Sequence, residues 1–256
     1  VEPLSLDEAY LDVSNSDCCA GSATRIAEQI RARIHDELRL TISAGVAPNK
    51  FLAKIASDWN KPNGLFVITP KAVDSFVLQL PVNKIFGVGK ATAARLAEVN
   101  VKTCADLRRF SIFELKQRFG QLGLRLFELC RGIDDREVTA SRRRKSLSVE
   151  HTFPQDLPNL ASCLSRLPEL LQQLAGRLRR LDDDYLVVKI FVKIKFADFS
   201  QTTIERSGSR LVAAEYQQLC RDAYIRKESP VRLLGVGVRF VDLREDQPFY
   251  QLDLFG

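Results

Sequence analysis

The stretch Lys189-Ile190-Phe191-Val192-Lys193-Ile194-Lys195-Phe196 constrains the fold more than any other. Its alternation fits a strand with one buried side: Ile190, Val192, Ile194 and Phe196 face a core, while Lys189, Phe191, Lys193 and Lys195 face out. Such a strand needs helices packed on its apolar side, and the neighbouring sequence supplies them. Leu164, Leu167, Leu171, Leu174, Leu178 and Leu181 form a helical stripe after a strand at 146–153. A strand at 201–206, a helix at 211–224 and a strand at 232–241 complete the order βαββαβ. That order predicts a four-stranded sheet with two helices on one face. The open face carries Lys189, Lys193 and Lys195, with Arg239 placed to join them and Thr202 and Thr203 beside them, a set suited to a sugar-phosphate backbone.

The start of the chain has a different character. In Ser5-Leu6-Asp7-Glu8-Ala9-Tyr10-Leu11-Asp12-Val13, two adjacent carboxylates separate two short apolar runs, which reads as a hairpin with the acids at its tip. Alone, the pair is a solvated turn; holding a hard cation, it is part of a metal site. A helix from Gly21-Ser22 carrying Ile26, Ile30, Ile34 and Leu38, a strand over Leu40 to Ala47, a helix over Asn49 to Ser57 and a strand at 66–68 place this hairpin in an α+β sheet domain. Between the last two elements, Asn60-Lys61-Pro62-Asn63-Gly64 is a stiff turn from which Lys61 projects freely. Lys61 and Lys54 are candidates to meet phosphate charge beside a metal.

Residues 70–133 read as short helices, the first started by Thr69 and Pro70. At the centre is Ile85-Phe86-Gly87-Val88-Gly89-Lys90, a hairpin between helices. Gly87 and Gly89 let backbone approach a ligand, and the helix beginning near Lys90 offers free N–H groups to a phosphate. Residues 134–144 are a charged linker ending in Arg142-Arg143-Arg144-Lys145, a basic strip fit to lie along nucleic acid. Gln251-Leu252-Asp253-Leu254-Phe255 places apolar side chains near the end, as a docking peptide or an extra edge strand.

Composition narrows the function classes. The chain has 256 residues, 45% hydrophobic and 27% charged, which excludes a disordered tail and a membrane-spanning protein. A net charge of +6 with a pI near 9.1 favours a polyanionic partner. The six cysteines are scattered without a C-x-x-C pair and read as reduced core thiols of a cytoplasmic protein; nothing requires more than a monomer. The absence of Met and the start at Val1, in the approach to a strand, suggest a piece of a longer protein.

Taken together, Ser5-Leu6-Asp7-Glu8-Ala9-Tyr10, Ser43-Ala44-Gly45-Val46-Ala47 with Asn49-Lys50, Lys54-Ile55-Ala56-Ser57, Lys61-Pro62-Asn63-Gly64 and Ile85-Phe86-Gly87-Val88-Gly89 resemble the Y-family of translesion DNA polymerases. The resemblance covers essentially the whole chain. It implies an α+β multidomain protein: a partial palm at 1–69, an all-α thumb with a helix-hairpin-helix at 70–133, a linker at 134–144, a βαββαβ little finger at 145–245 and a clamp-binding tail at 246–256. It implies low-fidelity addition of deoxynucleotides to a primer through two Mg²⁺ ions, with Asp7 and Glu8 as catalytic metal ligands and Lys61 on the incoming triphosphate. Primer-template DNA would be held by Lys54, Gly87, Gly89, Lys90, Arg142, Arg143, Arg144, Lys189, Lys193, Lys195, Thr202, Thr203 and Arg239. Gln251, Leu252, Leu254 and Phe255 would dock on the sliding clamp.

The family takes a further metal-binding aspartate and its fingers from a segment ahead of the acidic hairpin. These residues alone are therefore expected to be nearly inactive. Two other readings compete: a non-catalytic module binding DNA and the clamp, and another metal-dependent phosphoryl enzyme on a palm-like sheet, such as a nucleotide cyclase, which leaves the helical hairpin and the terminal peptide unexplained.

Overall fold

The computed structural model describes residues 1–141, 143–181 and 184–242. The chain forms two compact units, Val1–Ser141 and Arg142–Gly256.

In the first unit, β1 (Glu2–Pro3) pairs antiparallel with β2 (Ala9–Tyr10), with Glu2 opposite Tyr10. The amides of Leu4 and Ser5 both donate to the Glu8 carbonyl, at 2.8 and 3.2 Å, which closes the turn that carries the carboxylates. Leu11 and Val13 lie beyond the strand. Helix α1 (Ala23–Leu38) begins at Ser22, whose hydroxyl accepts from the Arg25 amide. Strand β3 (Ala44–Val46) runs parallel to β4 (Leu65–Val67), joined through α2 (Lys50–Trp59), which Asn49 caps by accepting from the Leu52 amide. Gly45 permits this close packing, because a Cβ there would meet the Ala53 carbonyl oxygen at 2.2 Å.

The expected single sheet with the acidic hairpin inside it is corrected. Among the described residues, β1–β2 and β3–β4 are separate two-stranded sheets. The hairpin is held through a side chain instead. Glu2, 2% exposed, takes the Lys50 ammonium at 2.5 Å and the Thr139 amide at 2.8 Å. Helices α3 (Val73–Gln79), α4 (Lys90–Glu98), α5 (Cys104–Leu107), α6 (Ile112–Phe119) and α7 (Gln121–Leu129) follow. A 3₁₀ turn at Pro70–Ala72 precedes α3, and the Thr69 hydroxyl makes no capping bond to it. Capping boxes form at Thr103 with Asp106 and at Ser111 with Glu114. Phe51, Leu52 and Ile55 of α2 share one apolar core with Val77, Leu96, Leu107, Leu115 and Leu126 of these helices.

The charged segment after Gly132 is fastened to α2. Asn49 donates to the Gly132 carbonyl, Asp134 accepts from the Phe51 amide at 2.9 Å, and Lys50 donates to the Glu137 carbonyl. Its lack of hydrophobic period reflects this, since it is held by polar groups at a helix N-terminus.

The second unit contains β5 (Ser146–Leu157), α8 (Leu160–Leu178), β6 (Tyr185–Phe196), β7 (Gln201–Ser207), α9 (Ala213–Ile225) and β8 (Val231–Asp242). The strands form an antiparallel sheet in the order β5-β8-β6-β7. Ile190, Val192, Ile194 and Phe196 are buried with Leu167, Leu170 and Leu174 of α8 and Tyr216, Leu219 and Ala223 of α9.

The cysteine reading holds for four residues and fails for two: Cys104, Cys130, Cys163 and Cys220 are buried, whereas Cys18 is exposed and Cys19 is partly so. Burial pushes the thiols of Cys104 and Cys220 up to about 12.

Candidate active site and nucleic-acid surfaces

The acidic turn opens toward one face of α2. Asp7 accepts a hydrogen bond from the Ser5 hydroxyl at 2.5 Å, and that bond is the main reason its carboxyl titrates below the usual range. Glu8 receives the Lys54 ammonium at 2.6 Å. Lys54 lies 3.4 Å from Asp58, which in turn lies 2.6 Å from Lys61. The result is a chain of alternating charge, Glu8, Lys54, Asp58, Lys61. Burial alone lowers the pKa of Lys54, but Glu8 and Asp58 outweigh it and the net shift is upward. Burial likewise raises that of Asp58, and Lys61 with Lys54 reverses the sign.

The expectation that Lys61 projects freely is therefore corrected: its turn places it two residues beyond the end of α2, within reach of Asp58. Lys54, expected on DNA or phosphate, is held by the two acids. Asp58 was missed, although four residues after Lys54 and three before Lys61 are helical spacings that sequence can show.

Beside this chain is a cleft of about 580 Å³ lined by Lys54, Asp58, Trp59, Lys84, Phe86 and Gly87. It joins α2 to the glycine hairpin. Gly87 has φ +96°, and a Cβ on Gly87 or Gly89 would meet no atom within 4 Å. Gly89 sits at the N-cap position of α4, followed by Lys90. The hairpin thus presents bare backbone at a helix start.

In the second unit, the outward residues of β6 are Lys189, Phe191, Lys193 and Lys195, but the face is less basic than expected. Glu205 takes Lys189 at 2.8 Å and Arg239 at 2.6 Å, and Glu150 takes Lys193 at 2.9 Å. Thr203 lies opposite Lys193, on the open face. Thr202 is a correction: it shares the pleat direction of Ile204, which packs on the helical core, and its hydroxyl accepts from Arg226 at the end of α9. Arg143 lies 5.0 Å from the Tyr185 ring centroid, and the Arg144 amide donates to the Tyr185 hydroxyl. Arg142, Gln251, Leu252, Leu254 and Phe255 lie outside the described residues.

Comparison with known proteins identifies the family. The impB/mucB/samB family matches residues 1–58, its C-terminal domain matches 144–254, and the thumb domain described for DNA polymerase-iota matches 83–134. The DNA polymerase IV of Ectopseudomonas mendocina (strain ymp) is 60% identical over 256 residues, covering 100% of this chain and 72% of that protein. The chain belongs to the Y-family of DNA polymerases. The DNA polymerase IV of Pseudomonas putida (strain GB-1) is 58% identical over 255 residues, again covering 72% of the relative. Among solved structures, the Y-family DNA polymerase chimera Dbh-Dpo4(243-245)-Dbh aligns with TM-score 0.76 at 28% identity, over 93% of this chain and 70% of that one. The crystal structure of DinB from Sulfolobus solfataricus aligns with TM-score 0.53 at 27% identity, over 94% and 71%.

As a Y-family chain, it is a translesion DNA-directed DNA polymerase in sequence and fold. No helix among the described residues is long and apolar enough to cross a membrane. Divalent metal use is general in the family, and the donor chemistry at the turn fits it in kind: Asp7 and Glu8 offer the hard carboxylate oxygens that Mg²⁺ prefers. In number the fit is partial, because the described residues contain no group of three or more His, Cys, Asp or Glu able to hold a metal ion.

Proposed function

We propose that this Y-family chain performs template-directed nucleotidyl transfer with Asp7 and Glu8 as the carboxylates that hold Mg²⁺. The observation that carries the reading is the alternating chain from Glu8 through Lys54 and Asp58 to Lys61 beside the acidic turn. When bound, two Mg²⁺ ions lower the pKa of the primer hydroxyl and clamp the triphosphate oxygens. The protein's own part is charge management. Asp7 and Glu8 would hold the metal, Asp58 would keep Lys54 paired when Glu8 does so, and Lys61 would meet the triphosphate. The backbone at Gly87 and Gly89 with Lys90 takes a phosphate of the primer-template duplex, as bare glycines at a helix start permit.

In this reading residues 1–69 belong to the palm, 70–133 to the thumb, 134–144 to the linker, 145–245 to the little finger and 246–256 to a clamp-binding tail acting through Gln251, Leu252, Leu254 and Phe255. The protein acts as a cytoplasmic monomer. Two carboxylates do not complete a two-metal site, so these residues alone extend a primer poorly, and their DNA-binding surfaces support a second role as a non-catalytic module on DNA and the clamp.

The test is Mg²⁺-dependent primer extension by a chimera in which this chain replaces the matching 72% of the Ectopseudomonas mendocina polymerase. Asp7→Asn is expected to lower extension by roughly a thousandfold, the scale of several kcal/mol of lost charge stabilisation. Extension at the unsubstituted rate overturns the metal assignment.

A further inference from the structure

Cys18 and Cys19 stand side by side in the loop between the acidic hairpin and α1, Cys18 exposed and Cys19 partly so. The other four thiols, Cys104, Cys130, Cys163 and Cys220, are buried, and burial raises the pKa of each. A thiol reagent in water therefore reaches Cys18 and Cys19 first, and it meets both at once.

The loop that presents them is tightly coiled. Cys19, Ala20 and Gly21 take φ of +52°, +55° and +73° in succession, a left-handed run that residues with a Cβ rarely adopt. Hydrogen bonds pin it on both sides: the Cys18 amide donates to the Ser16 hydroxyl at 3.3 Å, and the Ser22 amide donates to the Cys19 carbonyl at 3.3 Å. The Cys19 thiol itself donates to Oε1 of Gln29, on α1, at 3.2 Å. An amide side chain can serve that sulfur in either state. Its oxygen accepts from the thiol, and its nitrogen, turned inward, donates to the sulfur once the proton has gone.

Adjacent thiols suggest a disulfide first, but the backbone disfavours one. The peptide joining them is trans, so their Cα atoms are about 3.8 Å apart, short of the roughly 4.4–6.8 Å that disulfides span. A structural zinc ion takes four ligands, and the described residues gather no group of three or more His, Cys, Asp or Glu. Two sulfurs alone suit a soft centre that is satisfied by two thiolates and that, standing between them, lengthens the bridge. Trivalent arsenic is such a centre.

We propose that Cys18 and Cys19 form a chelating dithiol for trivalent arsenicals. With phenylarsine oxide, two S–H bonds and the arsenic–oxygen bond break, two As–S bonds form, and the oxygen leaves as water with both thiol protons. Neither sulfur nor arsenic changes oxidation state, so no oxidant is needed. The product is a ring closed across the loop that leads into α1.

The test is intact-mass spectrometry of the folded full chain titrated with phenylarsine oxide in the presence of excess 2-mercaptoethanol, a monothiol. One adduct per chain is expected, with the mass of a phenylarsenic group less two hydrogens. It should survive the monothiol and be removed by 2,3-dimercaptopropanol, a competing dithiol. Cys18→Ser and Cys19→Ser should each raise the arsenical concentration for half-conversion about a hundredfold, the scale of a lost second attachment. Their thermal unfolding temperatures should match the parent, as befits exposed positions. An absence of adduct on the parent overturns the proposal. An adduct that forms equally well in either serine variant also overturns it, because the arsenical then sits on one thiol or on the buried ones.

Discussion

The ammonium of Lys54 lies 2.6 Å from the carboxylate of Glu8, so an oxygen suited to a metal is already matched by a protein cation. A divalent ion arriving at the turn must compete with that lysine, and Asp58, 3.4 Å away, is where the lysine can go. Lys54→Met should therefore tighten Mn²⁺ binding several-fold, read by water-proton relaxation, the scale of one partly exposed ion pair. Asp58→Asn should weaken it, because Lys54 is then left with Glu8 alone. Weaker binding in Lys54→Met would mean that the lysine organises the site instead.

The same charge chain fixes a pH dependence. The Asp58 carboxyl is held below its ordinary 3.8 in the folded protein, so its contribution to stability is present above that value and is lost as pH falls through the folded pKa. The Lys54 pKa is raised above 10.5, so its contribution is present below that value and is lost as pH rises through the folded pKa. Urea unfolding should show Asp58→Asn less stable than the parent at pH 7, with the gap narrowing as pH drops below 3.8.

Gly89 separates backbone access from backbone strain. Gly87, at φ +96°, penalises any side chain, whereas Gly89 has φ −80° and open space where a Cβ would stand. Gly89→Ala should leave stability within about 0.5 kcal/mol of the parent, as for a surface substitution that breaks no special feature. If a phosphate meets this backbone, duplex affinity should still fall several-fold in the same protein, measured by anisotropy.

Glu205 sits between Lys189 and Arg239, whose bonds hold its pKa down. Glu205→Gln releases both cations on the open face. DNA affinity should rise a few-fold and its dependence on salt should steepen, since more phosphate contacts release more counterions. Unchanged affinity and slope would place DNA elsewhere.

Removing one partner of the buried Glu2–Lys50 pair should be costly. Glu2→Ala leaves Lys50, 7% exposed, without its carboxylate and orphans the Thr139 amide, a loss of about 3–5 kcal/mol by the usual scale of broken buried pairs. Denaturant midpoints should show that Glu2→Leu combined with Lys50→Met recovers much of it.

Much of this was legible in the residues. The period of two along β6 and the leucine stripe of α8 led to the sheet and its helical layer, and Gly21-Ser22 marked a helix start. The acidic turn was legible because its apolar flanks and adjacent carboxylates are contiguous. What escaped were partnerships set by tertiary register. Glu205 meets Lys189 and Arg239 across strands 16 and 34 residues away, and Glu2 meets Lys50 across 48. Thr202 failed for a simpler reason: one residue along a strand reverses the face.

The Glu2 carboxylate also has a bearing on synthesis. It accepts the Thr139 amide across 137 residues, so the base of the hairpin bearing Asp7 and Glu8 is not fully secured until residue 139 has left the ribosome. Helices α3 to α7 share their core with α2, all of it made before residue 139, whereas the acidic turn, among the earliest residues of this sequence to be made, is among the last of its unit to be fixed in place.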